Sequence, residues 1–128
     1  MDNGGSIITI SSLTARLPGP GHAVYAGARA GIDYAIKVAA VEYADKGIRF
    51  NSIAAGLIET DMTTGIFQMP GVVDLFVNEI PVGRMGTLED IAGGALWLAD
   101  EKASGFINGH LIDRAGGQQM GHLPRLGG

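Results

Sequence analysis

Ser6-Ile7-Ile8-Thr9-Ile10-Ser11, opened by Gly4-Gly5, is the stretch whose reading decides the fold. Its isoleucines do not alternate cleanly with polar residues, so it predicts a strand buried on both faces, the pattern of parallel sheets. Leu17-Pro18-Gly19-Pro20-Gly21 follows, where proline and glycine forbid regular structure. From Ala23 to Ala44 the chain is rich in Ala and free of Pro, which predicts a long helix. Lys46 and Gly47 close it, a cation near the negative end and a residue able to take positive φ. Ile48-Arg49-Phe50-Asn51-Ser52-Ile53-Ala54 predicts a second strand, stopped by Gly56.

Beyond it, residues 57–80 read as a loop-like stretch with a helix over Val72 to Glu79, ended by Ile80-Pro81. Thr87-Leu88-Glu89-Asp90 is a helix start: Thr87 can cap, and two carboxylates oppose the dipole. That helix runs through Trp97 to Ala99, and Asp100-Glu101-Lys102 reads as its solvated end. A last strand covers Gly109 to Asp113 and stops at Gly116-Gly117. The order β-α-β-(variable)-α-β, with crossovers long enough for helices, predicts parallel strands in an α/β layered fold. Residues 1–120 form one unit, and 121–128 a flexible tail. Three parallel strands with two main helices are few, because such sheets need both faces covered. A missing piece or a partner chain is expected.

Composition narrows the function classes. Of 128 residues 46% are apolar and 17% charged, which excludes an intrinsically disordered chain. Nine basic against thirteen acidic residues give a net charge of −4, which argues against a nucleic-acid binder. There is no cysteine, hence no disulfide or thiolate metal site. His22, His110 and His122 lie far apart in sequence without metal-site spacing, so no metal is expected. The start carries no basic region followed by an apolar core, and no segment reads as a membrane span. The expectation is a cytoplasmic protein that binds neither nucleic acid nor membrane.

Tyr25 and Arg29 lie four apart at the start of the long helix and share one face. A fixed cation beside a phenol is one route to a general acid or base, although the pair is also ordinary on a helix. Ser12 sits just past the C-terminal end of the first strand, where open parallel sheets bind ligands. No G-x-S-x-G elbow surrounds it, so it is not a hydrolase nucleophile.

Gly4 to Ser12, Tyr25-Ala26-Gly27-Ala28-Arg29-Ala30-Gly31 and Gly47 to Gly56 together resemble the short-chain dehydrogenase/reductase family. So do Ile58-Glu59-Thr60-Asp61-Met62, Pro81-Val82-Gly83-Arg84-Met85-Gly86 and Ile107-Asn108-Gly109-His110 with Gly116-Gly117. The resemblance implies the C-terminal half of a Rossmann-like, doubly wound parallel sheet. It implies an oxidoreductase that moves hydride between NAD or NADP and a small-molecule carbonyl or secondary alcohol. By the same resemblance Ser12 binds the substrate oxygen, Tyr25 passes the proton, and Arg29 stands where the family has a lysine that holds the nicotinamide ribose. Gly56, the main chain at Ile58 and the hydroxyl of Thr60 match the loop that holds the carboxamide, and residues 61–80 match the variable substrate loop. The family is typically dimeric or tetrameric, which implies a homo-oligomer.

Three departures stand out. Arg29 replaces a point donor with a longer planar fork, which is not a conservative change. Ala55 stands where the family has proline. The family's N-terminal half, with its glycine-rich turn over the pyrophosphate, has no counterpart in these residues. Gly19-Pro20-Gly21-His22-Ala23-Val24 does not substitute for it, since Val24 stands where a third glycine is needed. The alternative is therefore a non-catalytic fragment or pseudoenzyme that acts through subunit association.

Overall fold

A computed structural model describes residues 4–58, 60, 64–124 and 126. Strand β1 (Gly5–Ser12) leads through a 3-10 turn at Leu13–Ala15 and a Pro/Gly loop into helix α1 (Ala23–Glu42). A second 3-10 turn, Ala44–Lys46, precedes β2 (Ile48–Ala55). The helix thus ends two residues before its expected limit. Lys46 and Gly47 close the short turn instead, with Gly47 in the left-handed region at φ 71°.

The loop-like stretch holds an unexpected short helix, α2 (Thr64–Phe67), whereas α3 (Val72–Val77) is the expected helix, ending two residues before Glu79. Helix α4 (Leu88–Ala99) begins on a capping box: the Thr87 hydroxyl accepts from the Asp90 N–H, and the Asp90 carboxylate accepts from the Thr87 N–H. Asp100, Glu101 and Lys102 are solvated as expected, but they are not the end of α4. They begin a separate helix, α5 (Glu101–Ser104), whose first N–H groups Asp100 caps. Strand β3 (Leu111–Arg114) starts two residues later than expected, because Gly109 turns the chain at φ 74°. Part of the tail expected at 121–128 lies outside the described residues.

The three strands are parallel in the order β1-β2-β3, with α1 on one face and α4 on the other. β2 is central and almost wholly buried, and Ile53 and Ala54 are sealed from solvent. Polar side chains tie the layers together. The Ser6 hydroxyl donates to the Leu98 carbonyl of α4, and that of Ser11 donates to Asp33 of α1 at 2.7 Å. Asn108 accepts from the Phe50 N–H and donates to the Ala40 carbonyl, joining the β2 start to the α1 end.

β1 is not buried on both faces as its composition predicts. It has a strand on one side only among the described residues, so its isoleucines are half-buried and Ile10 is 48% exposed. Most of α1 is equally uncovered: Val24, Tyr34 and Val41 stand in solvent. Among the described residues no helix is long and apolar enough to cross a membrane.

Candidate active site

Register brings the C-terminal ends of the strands into one row: Ser12 of β1 lies beside Ala55 of β2, and Ala55 beside Arg114 of β3. Ser12 caps the turn that follows it. Its Oγ accepts from the Thr14 N–H at 3.3 Å and from the Thr14 hydroxyl at 3.1 Å. Both lone pairs are then occupied, and the Ser12 proton is left to donate outward.

Tyr25 is the third residue of α1 and is half exposed, and its hydroxyl has no hydrogen-bond partner among the described residues. Arg29, one turn further on, does not turn to the phenol. Its guanidinium donates to the Ile10 carbonyl of β1, and its Nε is buried without a partner among the described residues. Packing of α1 on the sheet directs the long side chain to the strand before it.

The Gly56 N–H donates to the Arg114 carbonyl at 3.2 Å, and the chain here runs so close to Ala115 that a Cβ on Gly56 would lie 2.7 Å from that of Ala115. Ile58 forms a parallel bridge with Gly86, and the Thr60 carbonyl accepts from the N–H and hydroxyl of Thr64. Glu59, Asp61 and Met62 of the quoted motif lie outside the described residues.

A cavity of about 250 Å³ opens beside this loop, lined by Gly56, Leu57, Arg84, Asp90, Asp113 and Arg114 among others. Arg84 grips Asp90 with two bonds, of 2.8 and 3.2 Å. That guanidinium, with the Thr87 N–H, holds the Asp90 carboxyl well below the usual carboxylate range, and the Arg84 pKa is raised in return. Asp113 is paired with Arg16 from the loop after Ser12. Arg114 was not singled out by the sequence reading. Its Nε donates to the Asp90 carbonyl at 2.6 Å, and its side chain lies over Gly93 and Gly94 of α4. The available signal was two consecutive glycines inside a helix, a costly choice unless something large packs there. No three His, Asp or Glu side chains among the described residues cluster to hold a metal.

The sequence profile of the family described as Enoyl-(Acyl carrier protein) reductase matches residues 1–119. The chain is 38% identical over 116 residues to 3beta-hydroxysteroid dehydrogenase 1 of Eggerthella lenta, covering 91% of this chain and 44% of that protein. It superimposes with a TM-score of 0.88 and 31% identity on a short-chain type dehydrogenase/reductase from Mycobacterium ulcerans, covering 96% of this chain and 44% of the other. A gluconate 5-dehydrogenase from Burkholderia cenocepacia, solved with NADP and tartrate, also gives 0.88, at 29% identity, with coverages of 94% and 47%. The chain spans a little under half the length of each of these proteins.

Proposed function

The chain belongs to the short-chain dehydrogenase/reductase family, and we propose that it is the substrate-binding and proton-transfer half of an oxidoreductase acting on a carbonyl or secondary alcohol. One observation carries this reading: the Ser12 hydroxyl, at the C-terminal end of β1, is fixed by Thr14 with its proton free to donate. In the proposed reaction Ser12 donates to the substrate oxygen, and Tyr25 gives up or takes the proton on that oxygen. NAD or NADP, when bound, supplies or accepts the hydride. The groups at the end of β2 suit the nicotinamide end: the Gly56 carbonyl, the main chain at Ile58 and the hydroxyl of Thr60 would hold the carboxamide, and Arg29 the ribose. No glycine-rich phosphate cradle is found in the described residues. In this reading it comes from the part of the relatives' length that the chain does not span.

A second reading rests on Arg29. Its guanidinium is engaged by the Ile10 carbonyl, which favours a non-catalytic subunit acting through association. The uncovered β1 edge and α1 face support a homo-oligomer in either case. The deciding experiment incubates the protein with NADH or NADPH and small ketones, alone and with the nucleotide-binding half of a relative supplied in trans. The first reading expects ketone-dependent consumption of the reduced nucleotide, lost in Tyr25→Phe. Turnover in neither form, or turnover indifferent to Tyr25→Phe, overturns it.

A further inference from the structure

We propose that Arg114 is a specificity-determining residue, binding a carboxylate on the substrate while the reacting oxygen lies at Ser12. The inference rests on the oxidoreductase reading above and adds a substrate class to it, small oxo- or hydroxyacids.

Charge pairing in the cavity isolates Arg114. Arg84 is neutralised by Asp90, and Asp113 by Arg16. Arg114 has a single hydrogen bond among the described residues, from Nε to a main-chain carbonyl. Its two terminal nitrogens therefore have no acceptor among the described residues, yet the side chain is held in place. The bond to Asp90 fixes one edge of the guanidinium, and Gly93 and Gly94 give it a flat bed: a Cβ at either would lie 3.2 to 3.4 Å from its Cδ, Nε or Nη2. A guanidinium anchored at Nε, with Nη donors unengaged by the described residues and the side chain lining a cavity, suits an oxyanion.

Its place relative to Ser12 sets the shape of the ligand. The two residues stand in one row, separated by a single strand, so their Cα atoms are about 10 Å apart. The position between them, Ala55, carries only a methyl group, and the next residue, Gly56, carries none. An extended acid of a few carbons can bridge that row with its carbonyl toward Ser12 and its carboxylate toward Arg114. The cavity at the Arg114 end of the row, about 250 Å³, includes Gly56 but neither Ser12 nor Ala55 in its lining. It is smaller than the roughly 300–1,000 Å³ of drug-sized ligand sites, which favours a small carboxylate end.

The test titrates the ¹⁵N-labelled protein with 4-oxopentanoate, with its uncharged methyl ester and with inorganic phosphate, at constant ionic strength, and follows the Arg side-chain Nε–H resonances. The acid should shift the Arg114 resonance and bind about tenfold or more tightly than the ester, the gain expected of a charge-assisted bond. Arg114→Gln should remove the preference and Arg114→Lys keep part of it. Should Arg114→Gln fail to fold, the acid-to-ester ratio of the unmodified protein decides alone. Equal binding of acid and ester overturns the proposal. A shift with phosphate but not with the acid also overturns it, and assigns the residue to a nucleotide phosphate. Turnover of acid and ester alike would sink this inference and leave the oxidoreductase reading standing. Selective acid binding at Arg114 without hydride transfer would do the reverse.

Discussion

Arg49 of β2 and Leu98 of α4 are joined by a hydrogen bond of 2.8 Å from the guanidinium to a carbonyl in the last turn of the helix. The same buried side chain donates to the carbonyls of Ser104 and Ile107, at 2.9 and 3.3 Å, and pairs with Glu101 at 3.3 Å. These carbonyls also accept from the Ser6 hydroxyl, the Ile107 N–H and the Asn51 amide, so the cation at the ends of α4 and α5 is a second, charged donor that favours their negative poles. Glu101 is largely in solvent, with 76% of its side chain exposed, so water screens the ion pair and the carbonyl bonds dominate.

Replacing Arg49 with Met should therefore cost about 3 kcal/mol of stability, because three charge-assisted bonds from one buried guanidinium are lost together. Glu101→Gln should cost less than about 1 kcal/mol, as exposed pairs do. Urea unfolding of both variants checks the ranking, and comparable losses would show that the pair, not the carbonyls, matters.

Asp90 gives a pH dependence with a definite sign. Its carboxyl is held below its ordinary value first by the Arg84 hydrogen bond, then by the Thr87 N–H. A depressed folded pKa stabilises the protein above the unfolded value, about 3.9, and that contribution fades as pH falls toward the folded value. The difference in melting temperature between the protein and Asp90→Asn should be full at pH 6 and shrink steadily below pH 4. A difference that stays constant across that range would refute the assignment.

At Tyr25, Phe should lower hydride transfer by about 10²-fold or more, since the proton loses its carrier. Arg29→Lys should raise the rate, because a shorter point donor is freed from the Ile10 carbonyl for the ribose. Steady-state kinetics on both variants, with folding verified by circular dichroism, decide this.

For the nucleotide, the 128-residue chain alone should bind NADH or NADPH no more tightly than about millimolar, because a helix N-terminus with a glycine turn normally holds the pyrophosphate. Calorimetric titration measures it directly, and micromolar affinity would contradict the expectation.

Association should be visible at micromolar concentration. Val24, Tyr34 and Val41 expose apolar surface along α1, and a Cβ at Gly27 or Gly31 would meet nothing within 4 Å. Light scattering should report a dimer, and Val41→Glu should shift it toward monomer. A stable monomer would show that the face needs no cover.

The β-α-β order could be read from composition because each strand is a short β-branched run and α1 is an unbroken Ala-rich segment. The Thr87 cap could be read because its signal lies within three residues. What escaped is long-range. Arg49 reaches Glu101 across 52 positions and the carbonyls of Ser104 and Ile107 across 55 and 58, and local patterns carry no trace of such pairs. The exposure of Ile10 escaped because periodicity reports a side chain's preference, not whether a neighbouring strand is present. In the site, Ser12 and Tyr25 stand on the elements expected of them. The turn of Arg29 toward Ile10 and the row linking Ser12 to Arg114 depend on helix packing and strand register, which follow from the assembled sheet.

The contact of Gly56 with Ala115 reaches beyond packing. A side chain at 56 would collide with both the Cβ and the Cα of Ala115, so trimming Ala115 to glycine cannot by itself make room. The constraint lies in the main chain and not in the residue at 115: position 56 has room only for glycine for as long as β2 and β3 keep their present spacing. Any lineage that escapes must first move a strand, and with it the row on which Ser12 and Arg114 stand.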